Sequence, residues 1–275
     1  MQWRNLYRGF LMGVSDLIPG VSGGTIAFIL GIYDELLASI SGFFSRNWRQ
    51  HIGFLLPLGI GIGITLLLFS RVIEYLLKNY HGPTQFFFLG LIIGVLPFLT
   101  KQVGVKKNFK FGHYVLILLV GAALASMAFI KPLDGTVITS LTSSNAIGLF
   151  LAGWAGSMAM LLPGVSGSFV LLLLGVYSTA IGALSNLNLP IIAVIGAGVI
   201  VGFIVSSKVI SYVLARFKFI TFAVIIGLIL GSIFVVYPGV PEDGTFLVMS
   251  ALTFFIGLLV ASLFSPPKKE AVTRN

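Results

Sequence analysis

Residues 19–23 read PGVSG, and residues 163–167 read PGVSG again, 144 positions later. At the same offset, GIY at 31–33 is followed by GVY at 175–177. Proline lacks a backbone donor and glycine loosens the chain, so each PGVSG should end one helix and allow another to begin. The same break therefore opens two separate stretches of the chain.

Two further pairs of segments extend this similarity. SRVIEYLL at 70–77 matches SKVISYVL at 207–214, and GLIIG at 90–94 matches GLILG at 227–231, both at an offset of 137. Glycine-rich membrane sequences match one another easily by chance, but these matches are collinear. The sequence therefore predicts an internal repeat, and its two units differ by seven residues in the connection after the break.

The composition is that of a membrane protein. The 275 residues are 57% hydrophobic and 9% charged, with a mean hydropathy of +1.06. This leaves too little polar surface to cover a water-soluble globule. Runs of about 20 apolar residues cross a bilayer as helices, so we predict an all-α integral membrane protein. No segment has the flanks of a cleaved signal peptide.

Each unit is predicted to contain a re-entrant broken-helix hairpin followed by three transmembrane helices. The first unit, 1–135, has its hairpin at about 9–45 and its spans at about 52–77, 84–100 and 113–130. The second unit, 145–265, has its hairpin at about 147–185 and its spans at about 190–214, 219–237 and 246–264. Residues 266–275 are expected to form a cytoplasmic tail.

Basic residues indicate the orientation, because cytoplasmic loops collect lysine and arginine. If each hairpin enters and leaves on one face, 13 of the 17 basic residues lie on the cytoplasmic side together with both termini. Two basic residues then lie outside, and Arg71 and Lys208 fall within spans. The second unit starts from the opposite face, so the repeat is predicted to be inverted. Inverted repeats are typical of alternating-access transporters.

Several kinds of site are not expected. The chain has no cysteine and three histidines, which excludes disulfides and thiolate chemistry and argues against a histidine-rich metal site. Nothing indicates a cofactor. The net charge of +9 comes largely from short loops between spans, where topology explains it, so nucleic acid is not a predicted partner.

The breaks themselves are candidate sites, because lipid cannot satisfy the backbone groups that a broken helix leaves unpaired. The predicted hinges are Pro19, Gly20, Pro163 and Gly164. After each hinge a new helix begins, and its hydroxyls and amides suit an anion. The predicted substrate-binding residues there are Ser22, Gly23, Gly24, Thr25, Ser166, Gly167 and Ser168. The alternative is that these segments are only tightly packed helix contacts.

Two cations within spans are also substrate-binding candidates. Arg71 and Lys208 occupy matching positions of the repeat, and inversion would place them near opposite faces. A buried cation usually has a partner or a substrate. Snorkelling of the long side chains to lipid head groups is the alternative.

The carboxylates near the breaks belong only to the first unit. They are Asp16, Asp34 and Glu35, and Met160 stands in the second unit where the first has Asp16. A carboxylate in a membrane cavity can carry a proton, so these residues are proton-coupling candidates, with Asp16 leading. Helix capping, or pairing with an arginine such as Arg8, explains them equally well.

An enzyme has to be considered, because GVSGG at 20–24 fits the Gly-x-Ser-x-Gly elbow and both breaks fit the Gly-x-Ser-Gly of rhomboid proteases. A serine nucleophile needs a base. His51, His81 and His113 all fall at predicted membrane surfaces. Catalysis is therefore not predicted.

These motifs resemble those of the bacterial polyprenyl-phosphate translocases of the PopT type, a family long catalogued as a domain of unknown function. The segments that carry the resemblance are GVSDLIPGVSGGT at 13–25 and LPGVSGS at 162–168, and it extends over nearly the whole chain. The second segment departs from the first at Ser168 and Phe169. The resemblance implies that undecaprenyl phosphate, the carrier of cell-wall precursors, is returned from the outer to the inner leaflet of the cytoplasmic membrane.

Such a substrate agrees with the predicted site. A phosphate monoester suits amides and cations, and a polyprenyl tail can stay in lipid if the halves open laterally. The expected partners are this lipid and the surrounding membrane lipids, and a homo-oligomer is compatible with the sequence. Two alternatives stay open: a transporter or channel for a small soluble anion, and a structural membrane scaffold.

Overall fold

The computed structural model of the chain describes residues 1–16, 22–43, 45–129 and 137–264, apart from the side chains of Ser70, Arg71, Glu74, Ser185 and Phe264. Helices account for 83% of these residues, and the described residues contain no strand. The predicted all-α class is confirmed.

The described part of the chain forms thirteen α-helices. They are α1 (Asn5–Asp16), α2 (Gly23–Ile29), α3 (Tyr33–Ser41), α4 (Trp48–Asn79), α5 (His81–Val103), α6 (Val105–Asn108), α7 (Phe111–Ser126), α8 (Ser143–Leu161), α9 (Gly167–Leu173), α10 (Tyr177–Ser185), α11 (Leu189–Arg216), α12 (Lys218–Val236) and α13 (Gly244–Phe264). We call α1–α3 the first hairpin and α8–α10 the second hairpin.

Seven of the described helices are long and apolar enough to cross a membrane, so the chain is a multi-pass membrane protein. Six of them, α4, α5, α7, α11, α12 and α13, correspond to the six predicted spans, with ends that differ by up to four residues. The seventh is α8, which the sequence assigned to the second hairpin. A capping box between Thr142 and Asn145 starts α8 before the predicted hairpin, and this extends it to 19 residues.

Each hairpin turns at a glycine between its two short helices. The turn before α3 contains Gly31 at φ 67°, and the turn before α10 contains Gly175 at φ 69°. Glycine is favoured at both positions because other residues rarely adopt positive φ. In the second hairpin, α9 and α10 are bent by 114° relative to each other.

Helix α1 packs against the first half of α4 through glycines. A Cβ atom on Gly9 would collide with the carbonyl oxygen of Leu58, and one on Gly61 would collide with that of Leu6. Only glycine lets two helix backbones approach this closely, as is common between membrane helices.

Helix α8 packs against α11 in the same way. Here a Cβ on Gly153 would collide with the carbonyl oxygen of Ile195, and one on Gly198 with that of Phe150. The α8 residues lie 144 positions after their α1 counterparts, and the α11 residues lie 137 positions after theirs in α4. The contacts therefore recur at the two offsets found in the sequence.

The remaining spans pair across the two units. Helix α5 packs against α13, and α7 packs against α12. A Cβ on Gly90 would meet the carbonyl oxygen of Phe254, and a Cβ on Gly227 would meet that of Ile117. Gly227 lies 137 positions after Gly90, and Phe254 lies 137 positions after Ile117. The second span of each unit thus packs against the third span of the other.

Candidate functional site

The start of α2 forms the centre of the candidate site. Ser22 is its N-cap, with Oγ accepting the Gly24 amide at 3.1 Å. The neighbouring Gly23 amide donates to Asp16 Oδ1 at 2.8 Å. A Cβ on Gly23 would lie 2.8 Å from the Asp16 carboxylate, so glycine permits this close approach. One of the amides predicted to bind an anion, that of Gly23, therefore already donates to the Asp16 side chain.

The second break packs directly against this centre. Helix α8 ends at Leu161 and α9 begins at Gly167, so the helix is interrupted where Pro163 and Gly164 predict it, and Gly164 has φ +84°. The last carbonyls of a helix have no amide partners within it. Here they point at the first hairpin.

Hydroxyls of the first hairpin bind the backbone of the second break. The Ser22 hydroxyl lies 3.4 Å from the Met160 carbonyl and 3.3 Å from that of Leu162. Tyr33 donates to the Leu161 carbonyl at 2.8 Å. These bonds satisfy carbonyls that α8 leaves unpaired.

One further bond between the hairpins involves Thr25. Its Oγ1 accepts the Gly164 amide at 2.9 Å. Ser22 and Thr25 are both buried. The residues that follow the first predicted break thus lie against the second break, and their hydroxyls hydrogen-bond to its backbone.

The start of α9 differs from the start of α2. Ser166 caps it, with Oγ accepting the Phe169 amide at 3.5 Å and sharing a 2.9 Å hydrogen bond with Ser168 Oγ. A Cβ on Gly167 would lie 2.5 Å from Cγ of Met160, the residue that replaces Asp16. The second break therefore lacks a counterpart of the Asp16 carboxylate.

A cavity of about 500 Å³ adjoins the first break, a size usual for ligand sites. Asp16, Gly23 and Gly24 line its polar end. The other described lining residues are apolar or glycine, so Asp16 is the ionisable group among them. No ion pair to Asp16 is formed by the described side chains, and Arg8 instead donates to Asn5 Oδ1 at 2.8 Å.

The structure does not bring the other charged candidates to this cavity. Lys208 is exposed on α11, and Asp34 and Glu35 are exposed on the first turn of α3, where Glu35 accepts a hydrogen bond from Gln2 at 2.8 Å. The side chain of Arg71 lies outside the described residues, as do Pro19 and Gly20 in their entirety.

Sequence reasoning missed Tyr33 and the carbonyls of Met160 and Leu161 as parts of the site. The recurrence of GIY and GVY was a signal for Tyr33. The carbonyls carry no side-chain signal, because any residue at the end of α8 presents one. Their place follows only from the packing of the hairpins.

The histidines do not approach the serines within hydrogen-bonding distance in the described structure. His51 lies against Gly42, and His113 Nδ1 accepts the Lys110 amide at 2.9 Å. His81 begins α5. Among the described residues, no histidine is therefore placed to act as a base for Ser22 or Ser166.

Comparison with known proteins agrees with the motifs. Residues 12–251 match the undecaprenyl phosphate translocase-like family. A polyprenyl-phosphate transporter of Staphylococcus aureus (strain NCTC 8325 / PS 47) is 45% identical over 269 residues, which cover 94% of this chain and 95% of the relative. A polyprenyl-phosphate transporter of Vibrio cholerae serotype O1 is 34% identical over 249 residues, 84% of this chain and 76% of the relative.

No solved structure matches this chain at a significant level. The family match covers most of the chain and includes both breaks, and the two relatives align over most of their own lengths. The resemblance seen in the motifs is therefore confirmed: the chain belongs to the undecaprenyl phosphate translocase-like family.

Proposed function

We propose that this protein translocates polyprenyl phosphate across the bacterial cytoplasmic membrane and so recycles the carrier lipid of cell-envelope synthesis. Membership of the translocase family and the names of both relatives support this activity. The packing of two helix breaks against each other supplies a polar place within an apolar protein, which a phosphate head group needs in order to cross.

The composition of the cavity at the first break carries the choice of a lipid over a soluble anion. A hydrated anion needs a polar path, because each polar group that leaves water unpaired is costly. The described lining of this cavity is apolar except near Asp16, Gly23 and Gly24. A phosphate lipid fits this arrangement, since its head group needs polar partners and its chain needs an apolar wall.

We place the phosphate at the two breaks, beside Ser22, Gly23, Gly24 and Thr25 of the first and Ser166, Gly167 and Ser168 of the second. Arg71 and Lys208 would act outside this centre, as cations that attract the lipid from either leaflet. The exposure of Lys208 on α11 supports contact with head groups rather than with the breaks.

Asp16 is the residue that we assign to proton coupling. Its carboxylate accepts the Gly23 amide at 2.8 Å, so a phosphate can bind that amide only after this hydrogen bond breaks. Protonation removes the negative charge that would repel the phosphate. A proton would then accompany each lipid. Asp34 and Glu35 are less suited because both are exposed.

The inverted repeat and the re-entrant hairpins belong to the same proposal. The glycine contacts of α1 with α4 and of α8 with α11 recur at the repeat offsets, which supports two related units. The loop charges support opposite orientations, with both termini in the cytoplasm. Two such units could expose the breaks to each leaflet in turn.

A reconstituted vesicle assay tests this function. We expect purified protein to flip labelled polyprenyl phosphate without taking up inorganic phosphate or sulfate, and a pH gradient across the vesicle to change the rate. Asp16→Asn should remove the effect of the gradient, because an amide cannot carry the proton. Uptake of soluble phosphate without lipid flipping would instead establish the soluble-anion transporter.

A further inference from the structure

The cavity at the first break reaches from the polar centre to the outer surface of the helices. Its polar part is formed by Asp16, Gly23 and Gly24, of which the two glycines are buried. Buried leucines continue the wall from there, with Leu36 at 4% and Leu58 at 2% exposure. The wall therefore changes from polar to aliphatic within one continuous space.

The mouth of the cavity lies between α4 and α11. Gly59 of α4 and Ile200 of α11 both line the cavity and are exposed, Ile200 at 57%. Phe43 and Met160, which also line it, are less exposed, at 37% and 38%. Ile60 and Val201, which follow Gly59 and Ile200, are also exposed and apolar. In a membrane-spanning helix such surfaces face hydrocarbon. The mouth thus opens sideways into lipid rather than along an aqueous path.

Gly59 leaves this mouth wide. A Cβ built on it meets no atom within 4 Å, so the space beside the glycine is open. A large side chain there would occupy the mouth without displacing backbone. Gly63, one turn further along α4, is equally open but does not line this cavity.

We propose that this cavity binds the first isoprenoid units of the carried lipid, and that the gap between α4 and α11 is the opening through which the rest of the chain stays in the bilayer. The inference rests on the proposed function. Its occupant follows from continuity, because the units next to a phosphate bound at Asp16, Gly23 and Gly24 must lie in the aliphatic part of the same cavity.

The proposal makes the protein selective for the chain as well as for the head group. An isoprenoid phosphate of a few units would fill the cavity as the long lipid does, because only the part near the phosphate touches protein. Phosphatidic acid carries a phosphate monoester on a glycerol with straight acyl chains. It would place a different group in the aliphatic part.

The first test blocks the mouth. We expect Gly59→Phe to slow the flipping of labelled polyprenyl phosphate in vesicles at least tenfold, while Gly63→Phe stays within twofold of the unchanged protein. Thermal unfolding of both variants in detergent shows whether they are folded. Flipping by a folded Gly59→Phe variant at the rate of Gly63→Phe would overturn the proposal.

The second test measures the choice of chain. Farnesyl phosphate should slow the flipping of labelled polyprenyl phosphate at least tenfold when present in excess, and phosphatidic acid at the same mole fraction should change it less than twofold. Equal competition by the two lipids would show that the cavity does not distinguish an isoprenoid chain from an acyl chain. A farnesyl phosphate carrying a diazirine near its phosphate should crosslink to peptides that contain Gly59 or Ile200.

These outcomes are separable from failure of the proposed function. If the unchanged protein flips polyprenyl phosphate but Gly59→Phe and phosphatidic acid give the contrary results, the cavity inference is wrong and the translocase stands. If the unchanged protein flips no polyprenyl phosphate, the proposed function itself is wrong, and the inference falls with it.

Discussion

Tyr33 forms the hydrogen bond that best shows how the first hairpin holds the second break. Its ring stacks on Phe28 with centroids 4.0 Å apart, and its hydroxyl donates to the Leu161 carbonyl at 2.8 Å. Leu161 is the last residue of α8, so its carbonyl has no partner within that helix. The hydroxyl of one residue therefore satisfies a buried helix end.

Removal of that hydroxyl leaves the Leu161 carbonyl unsatisfied. We expect Tyr33→Phe to keep the stacking on Phe28 and to lower the free energy of unfolding by about 1 to 3 kcal/mol, the usual result of an unpaired buried polar group. Thermal and denaturant unfolding in detergent measure this change.

Tyr177 provides the matched control, because it lies 144 positions after Tyr33. It is 37% exposed, and its hydroxyl bonds to none of the described residues. Tyr177→Phe should change stability by less than about 0.5 kcal/mol. Equal losses in the two variants would contradict the role assigned to the Tyr33 hydroxyl.

The residue scale also shows where sequence reasoning succeeds. The caps Ser22 and Ser166 follow from hydroxyl side chains placed after a break, since this chemistry is local. The bond from Tyr33 to Leu161 joins residues 128 positions apart, and its acceptor is a backbone atom. No side-chain pattern encodes such an acceptor.

The pairing of helix elements depends on glycines that allow close approach. Gly153 of α8 lies so near the carbonyl of Ile195 in α11 that any side chain would push the helices apart. Gly148, earlier on α8, is exposed and has open space around it. The same helix thus carries one glycine needed for packing and one that packing does not require.

We expect Gly153→Leu to lower the free energy of unfolding by about 1 to 3 kcal/mol, because an overpacked contact forces backbone shifts. Gly148→Leu should be neutral or slightly stabilising, since glycine is about 1 kcal/mol worse than alanine or leucine in a helix interior. Unfolding of the two variants in the same detergent gives the comparison. A larger loss for Gly148→Leu would refute the assignment of the contact.

The lengths of the elements were predictable to different degrees. The six spans were found from hydropathy, because about 20 apolar residues are needed to cross a bilayer whatever they pack against. The start of α8 was missed because a cap between Thr142 and Asn145, not an apolar run, decides it. Hydropathy alone therefore did not predict where α8 begins.

At the scale of the whole molecule, the two hairpins have similar sequences but different surroundings. Every residue of α2 is buried, whereas Gly167 is the buried residue among those of α9. Helix α3 packs against α11 of the other unit. A repeat predicts that two units share a local fold, but the position of each unit relative to the other depends on packing across the whole molecule.

The predicted orientation of the units is the same whether a hairpin is re-entrant or crosses the membrane twice, whereas a single crossing by α8 would move every later loop to the other face. Helix α8 is long enough to cross, and the bent pair α9 and α10 could return as one broken span. Both arrangements bring the chain back to the face on which the hairpin began. The side on which each later loop lies is therefore the same in either case.

Inversion can consequently be tested at the loops that follow the two hairpins. The chain contains no cysteine, so single cysteines report their own position. Asn47 precedes α4 and Asn186 precedes α11, and both are exposed.

We expect a membrane-impermeant maleimide to label Asn186→Cys in intact cells and Asn47→Cys only after permeabilisation. Gly244→Cys, before α13, should behave as Asn186→Cys does, because two spans separate them. Labelling of Asn47→Cys and Asn186→Cys from one face would make the units parallel, and alternating access by inverted halves would then be excluded.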